Sequence, residues 1–123
     1  MKKNRPKHLA LQHIKFPLPA IVSGLHRISG ALLFISIPLL LLLLQSSLRL
    51  ESFTQLTSTL QHPLSKLLIV GVLWAFLHHF CAGIRFLALD LDYGIKLAQA
   101  RASSKWVLVA SLTLTVLLGA RIW

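Results

Sequence analysis

The chain has 123 residues, of which 55% are hydrophobic and 13% charged, and its mean hydropathy is +0.72. This is more apolar surface than a soluble core of that size can bury, so an ordinary soluble domain is excluded and the chain belongs in a bilayer. The formal charge of +10 comes from 13 Lys and Arg against Glu51, Asp90 and Asp92. Five of the cations (Lys2, Lys3, Arg5, Lys7 and Lys15) lie in the first fifteen positions, beside membrane rather than on a folded basic face, which argues against nucleic-acid binding.

In chain order, residues 1–18 read as a basic cytoplasmic segment and residues 19–123 as a three-helix transmembrane domain. The first apolar segment runs from about Pro19 to Leu48, the second from about Leu64 to Leu91 and the third from about Trp106 to Trp123. Each is near the roughly 20 residues that cross the hydrocarbon. Pro17 and Pro19 stand before the first helix, where a missing N–H is tolerated. Pro38 lies inside it and predicts a kink in the outer half. The polar stretch from Glu51 to His62 reads as a connection that ends at Pro63, and Gly94, beside Asp92 and Tyr93, marks the exit from the second helix.

Three crossings put the termini on opposite sides. The basic N-terminus shares its side with Lys96, Arg101 and Lys105, whereas the other side carries only Arg49, Lys66 and Arg121. The positive-inside rule therefore places the N-terminus and the Asp92-to-Lys105 loop in the cytoplasm. A signal peptide is a poor alternative, because its apolar stretch would be too long and would carry His26 and Arg27. The single cysteine, Cys81, excludes an intrachain disulfide and leaves the redox compartment open.

Two of the six histidines, His78 and His79, interrupt an uncharged apolar run from Leu67 to Ile84 that ends at Arg85. An ionisable group inside a span is expensive enough to be a functional-site hypothesis by default. The first helix runs outward and the second returns, so His26 and Arg27 should lie level with Arg85 near the cytoplasmic surface. His79 is then about 9 Å deeper, at 1.5 Å per residue. A haem matches this layering: its two carboxylates want cations near the interface and its iron wants an imidazole further in. Gly83 and Phe86 share the His79 face; the first would clear space for a macrocycle and the second could pack on it. Ser23 stands four residues before Arg27, and a hydroxyl and a guanidinium on one face could hold a quinone carbonyl. Each residue also has a plainer role: Arg27 and Arg85 as snorkelling anchors, Ser23 bonded back to its own helix, and His78, 100° around from His79, as packing.

Arg5-Pro6-Lys7-His8-Leu9, Phe16-Pro17, Ser23-Gly24-Leu25-His26-Arg27-Ile28-Ser29-Gly30, and His79 with Gly83-Ile84-Arg85 and Asp90 follow one another in the chain. Together they resemble the cytochrome b membrane-anchor subunit of succinate dehydrogenase (succinate:quinone oxidoreductase, respiratory complex II). The resemblance spans most of the chain, although the third helix adds hydropathy and little else.

The resemblance implies an all-α membrane protein of three helices packed with a second hydrophobic membrane-anchor subunit, beneath an iron–sulfur subunit and a flavoprotein subunit in the bacterial inner membrane. It implies that His79 is an axial ligand of haem b, with the second axial imidazole supplied by the partner membrane subunit. Ser23 and Arg27 correspond to ubiquinone-site residues, His26, Arg27 and Arg85 to the surroundings of the haem propionates, and Asp90 is a proton-path candidate. The family often has His after Gly-Ile-Arg; here that position is Phe86. The chain itself has no dinucleotide-binding glycine motif and no cysteine set for a cluster, so it is not catalytic alone. Two other classes compete: a haem-free structural anchor, and a small transporter, which should carry an acid within a span.

Overall fold

The computed structural model describes residues 14–122; the basic residues 2–7, the Arg5-to-Leu9 motif and Trp123 lie outside them. Four helices follow in order: α1 (Leu18–Ser47), α2 (Leu50–Gln61), α3 (Pro63–Asp90) and α4 (Leu97–Ile122). Among the described residues there is no strand, and α1, α3 and α4 are each long and apolar enough to cross a membrane. The expectation of an all-α protein with three spans therefore holds.

The helix ends follow from local chemistry. α1 starts after Pro17, whose extended backbone offers its carbonyl to the N–H groups of Ala20 and Ile21 at 2.9 and 3.3 Å. Pro19 falls within the first turn, where its missing N–H has no partner to lose. The 30 residues of α1 continue unbroken through Pro38 and span about 45 Å, more than the hydrocarbon thickness of about 30 Å. His62 is extended, as a residue before proline prefers to be, and its Nδ1 accepts the Leu64 N–H at 3.2 Å to cap α3.

α3 ends in a Schellman turn. The N–H of Tyr93 donates to the Ala88 carbonyl and that of Asp92 to the Leu89 carbonyl, both at 3.0 Å. The left-handed position of this turn is taken by Asp92 (φ 62°), not by a glycine, and Gly94 (φ 78°) supplies a second such residue two positions on.

Two features differ from the sequence reading. The stretch read as a polar connection is the 12-residue helix α2, whose Leu50, Phe53, Leu56 and Leu60 recur on one face. The third span's helix begins at Leu97, nine residues before Trp106, because Leu97 to Lys105 contains no proline or glycine to stop it.

α1 packs against α3 and α3 against α4, antiparallel in each case: Gly30 meets His79, while Arg85 meets Ser103 and Val70 meets Gly119. Apart from Leu77, the buried positions carry small or polar side chains. They are Val22 and Ser29 on α1; Ala75, Leu77, His78, Ala82 and Arg85 on α3; and Ser104, Val107, Ser111, Thr115 and Gly119 on α4. Helices in lipid gain no hydrophobic drive from touching, so close backbone approach through small side chains holds them together. The α4 hydroxyls satisfy themselves: Ser104 donates to the Ala100 carbonyl at 2.7 Å, Ser111 to Leu108 at 3.1 Å and Thr115 to Ser111 at 2.7 Å. Large apolar residues such as Phe34, Ile35 and Leu48 face outward, each at least 70% exposed.

Candidate functional site

The site is centred on His79, just past the middle of α3, where that helix lies against the first half of α1. Its Nδ1 is 3.0 Å from the backbone carbonyl of His26. A carbonyl can only accept, so this bond puts the ring proton on Nδ1 and leaves the lone pair on Nε2. The ring orientation agrees. A Cβ built on Gly30 would lie 2.8 Å from Cε1 and 3.2 Å from Nδ1 of His79 but 3.9 Å from Nε2. The Nδ1–Cε1 edge therefore rests on α1, and Nε2 is turned away from it.

The His26 ring covers one face of this imidazole, with centroids 4.2 Å apart and planes within 8° of parallel. His26 also meets Phe86 at 5.1 Å, and its Nε2 lies 3.7 Å from where a Gly83 Cβ would be. The space above Gly83 thus admits the His26 ring. His26 thus lies alongside the stretch from His79 to Phe86, and its ring is not a layer above His79 as the sequence reading had it, because it leans across onto the His79 imidazole.

The other sequence-selected residues separate into two groups. Ser23 is half-buried and Arg27 exposed, one turn apart on α1, and neither makes a hydrogen bond or ion pair to another described residue. Arg85, in contrast, is buried against α4: its Nε donates to Ser103 Oγ at 2.9 Å and its Nη2 to the Ala100 carbonyl at 3.3 Å, and its guanidinium lies 5.2 Å from the centre of the Phe86 ring. Asp90 is exposed at the last position of α3. His78 is fully buried and stacks on Trp74 at 5.4 Å, with neither ring nitrogen hydrogen-bonded to a described residue.

Among the described residues no three His, Cys, Asp or Glu side chains converge. Nε2 of His79 is a single donor. Sequence reasoning gave no role to Ser29, Gly30 or Ser103. The first two stood in the quoted motif, and the only signal for them was that Gly30 lies one helical turn beyond His26 on the same face.

The chain matches the family described as succinate dehydrogenase/fumarate reductase transmembrane subunit over residues 1–118. It belongs to that family. It is 41% identical, over the full length of both chains, to the succinate dehydrogenase cytochrome b556 subunit of Coxiella burnetii. It is 33% identical to the subunit of the same name from Paracoccus denitrificans, covering 93% of this chain and 88% of that one. The Rickettsia felis subunit is 31% identical, covering 93% and 90%. As a member of this family the chain is a multi-pass transmembrane subunit of the oxidoreductase.

Proposed function

We propose that this chain is the haem b-binding anchor of a succinate:quinone oxidoreductase, with His79 as one axial ligand and Ser23 and Arg27 in the ubiquinone site. The observation that carries the reading is the His79 Nδ1–H bond to the His26 carbonyl, because it fixes the one tautomer whose Nε2 can bind iron. A ligating histidine characteristically donates its other ring N–H to such an acceptor. The fit to a haem is therefore good: an imidazole in the span whose Nε2 is turned away from α1, with His26 and Arg27 close by on α1 for the propionates. Arg85, with two donors engaged by α4, contributes there through its charge. When bound, the haem supplies a one-electron store.

The protein's own residues act on the quinone. Arg27 offers an uncommitted guanidinium to a quinone oxygen as negative charge develops on it, and Ser23, one turn away, offers a hydroxyl to the same head group. Exposed Asp90 is the nearest acid on α3 and serves proton delivery. Electrons reach the quinone from an iron–sulfur subunit, itself joined to a flavoprotein, and a second hydrophobic anchor subunit covers part of the exposed apolar surface and supplies the second imidazole.

Lys96, Arg101 and Lys105 support an orientation with the α3–α4 loop and the start of α1 on the cytoplasmic side of a bacterial inner membrane. In a background with Cys81 replaced, Ala102→Cys should resist an impermeant thiol reagent in intact cells; labelling from outside reverses the orientation.

The central test is spectroscopic. In the purified complex, His79→Ala should abolish the low-spin bis-imidazole signal or the haem content, while His78→Ala retains both. The opposite pattern assigns the ligand to His78, and an unchanged spectrum in both variants supports a haem-free anchor role for this chain.

A further inference from the structure

Two neighbours of His79 do more than pack against it. Ser29 is 1% exposed, and its hydroxyl donates to the His26 carbonyl at 2.9 Å, the same oxygen that receives the His79 Nδ1–H at 3.0 Å. Its Oγ is 3.5 Å from Nδ1 itself. Gly30, the next residue, is where α1 comes so close to the imidazole that an added methyl carbon would lie 2.8 Å from Cε1, a distance real contacts do not reach. Position 29 thus touches the acceptor of the histidine's proton, and position 30 touches the ring.

We propose that Ser29 and Gly30 are positioning residues for His79: Gly30 sets where the imidazole stands, and Ser29 sets how strongly its Nδ1–H is held. This rests on the reading of His79 as a haem ligand. A carbonyl oxygen has two lone pairs, and the His26 oxygen already belongs to the helix ladder, so the serine hydroxyl shares it with the imidazole N–H. Sharing weakens the imidazole's bond. Removing the hydroxyl strengthens that bond, gives Nδ1 more anionic character and makes Nε2 a better donor to ferric iron. The reduction potential of a bound haem follows axial-ligand donation and hydrogen bonding, so it should fall. Gly30 acts differently, because a Cβ there displaces the ring whatever its hydrogen bond.

The experiment uses the full complex carrying Ser29→Ala, Ser29→Thr, Gly30→Ala or His79→Ala, with haem content, low-spin electron paramagnetic resonance and a redox titration of the haem as readouts. Ser29→Ala should keep wild-type haem content and shift the midpoint potential downward, and Ser29→Thr should restore it. Gly30→Ala should shift the low-spin signal or lower the haem content. Unchanged potential in Ser29→Ala, or a change that threonine does not reverse, overturns the role of Ser29; an unchanged signal in Gly30→Ala overturns that of Gly30. If Gly30→Ala does not assemble, the serine pair decides. Retention of the wild-type low-spin signal by His79→Ala overturns the ligand assignment instead, and does so independently of the serine result.

Discussion

Two glycines of the bundle, Gly30 and Gly71, stand for its two halves. In the half formed by the beginning of α1 and the end of α3, a Cβ on Gly30 would collide with His79 at 2.8 Å; in the opposite half, a Cβ on Gly71 would meet nothing within 4 Å. All the buried residues of α1 and α3 lie in the first half or near its border, from Val22 to Ser29 and from Ala75 to Arg85. In the second half the same two helices leave an apolar cleft of about 370 Å³ lined by residues such as Leu33, Leu68, Gly71 and Trp74. Specificity in these spans resides in the first half. Polar groups that must find partners and a ring that must fit between backbones define a unique packing, whereas leucine against lipid defines very little.

The close packing of the first half is most sensitive to overfilling. Ser104 is fully buried on α4, one residue from the serine that holds Arg85. Ser104→Leu should push α4 from α3 and cost about 3 kcal/mol, the upper end of what overpacking a dense site costs. Heating the detergent-purified complex and measuring the fraction still assembled should show the loss directly. Stability equal to wild type would mean that the seam is loose and that the two halves do not differ in packing.

A smaller effect is expected at the rim of the first half, where Arg27 and Ser23 make no hydrogen bond to a described residue. Arg27→Leu removes a hydrogen bond from a charged group, about 1.5–3 kcal/mol, or roughly tenfold to a hundredfold in kcat/KM for quinone. Ser23→Ala removes a neutral one, about 0.5–1.5 kcal/mol. Both should spare electron transfer to an artificial acceptor at the flavoprotein. Normal quinone kinetics in fully assembled Arg27→Leu would make Arg27 an interface anchor.

How much of this could be read beforehand differs between the halves as well. The three spans, Pro63 at the head of α3 and His79 as the distinctive residue all followed from hydropathy, breakers and spacing, which are local. The bond from His79 to the His26 carbonyl did not, since it joins residues 53 positions apart and depends on a backbone atom that no side-chain pattern reports. Arg85 was expected to turn toward a ligand's carboxylates; its two bonds to α4 arise because that helix begins early enough to bring Ala100 and Ser103 alongside. Helix α2 escaped notice because its Ser, Thr and Gln residues suit a loop, and its four apolar positions are too few to announce a helix without the spans it joins.

The smallest predicted effect belongs to the second half and has the opposite sign. Gly71 is interior to α3, where alanine is favoured over glycine by about 0.8–1.0 kcal/mol because it loses less backbone freedom on ordering. The added methyl enters the apolar cleft without contact, so nothing offsets that gain. Gly71→Ala should therefore leave haem content and quinone kinetics unchanged and raise the temperature at which the complex dissociates slightly, whereas Gly30→Ala disturbs the His79 signal. A fall in assembled complex on Gly71→Ala would show that a backbone of another subunit lies against this glycine. The cleft would then be a second close-packed seam, and the contrast between the halves would vanish in the complex.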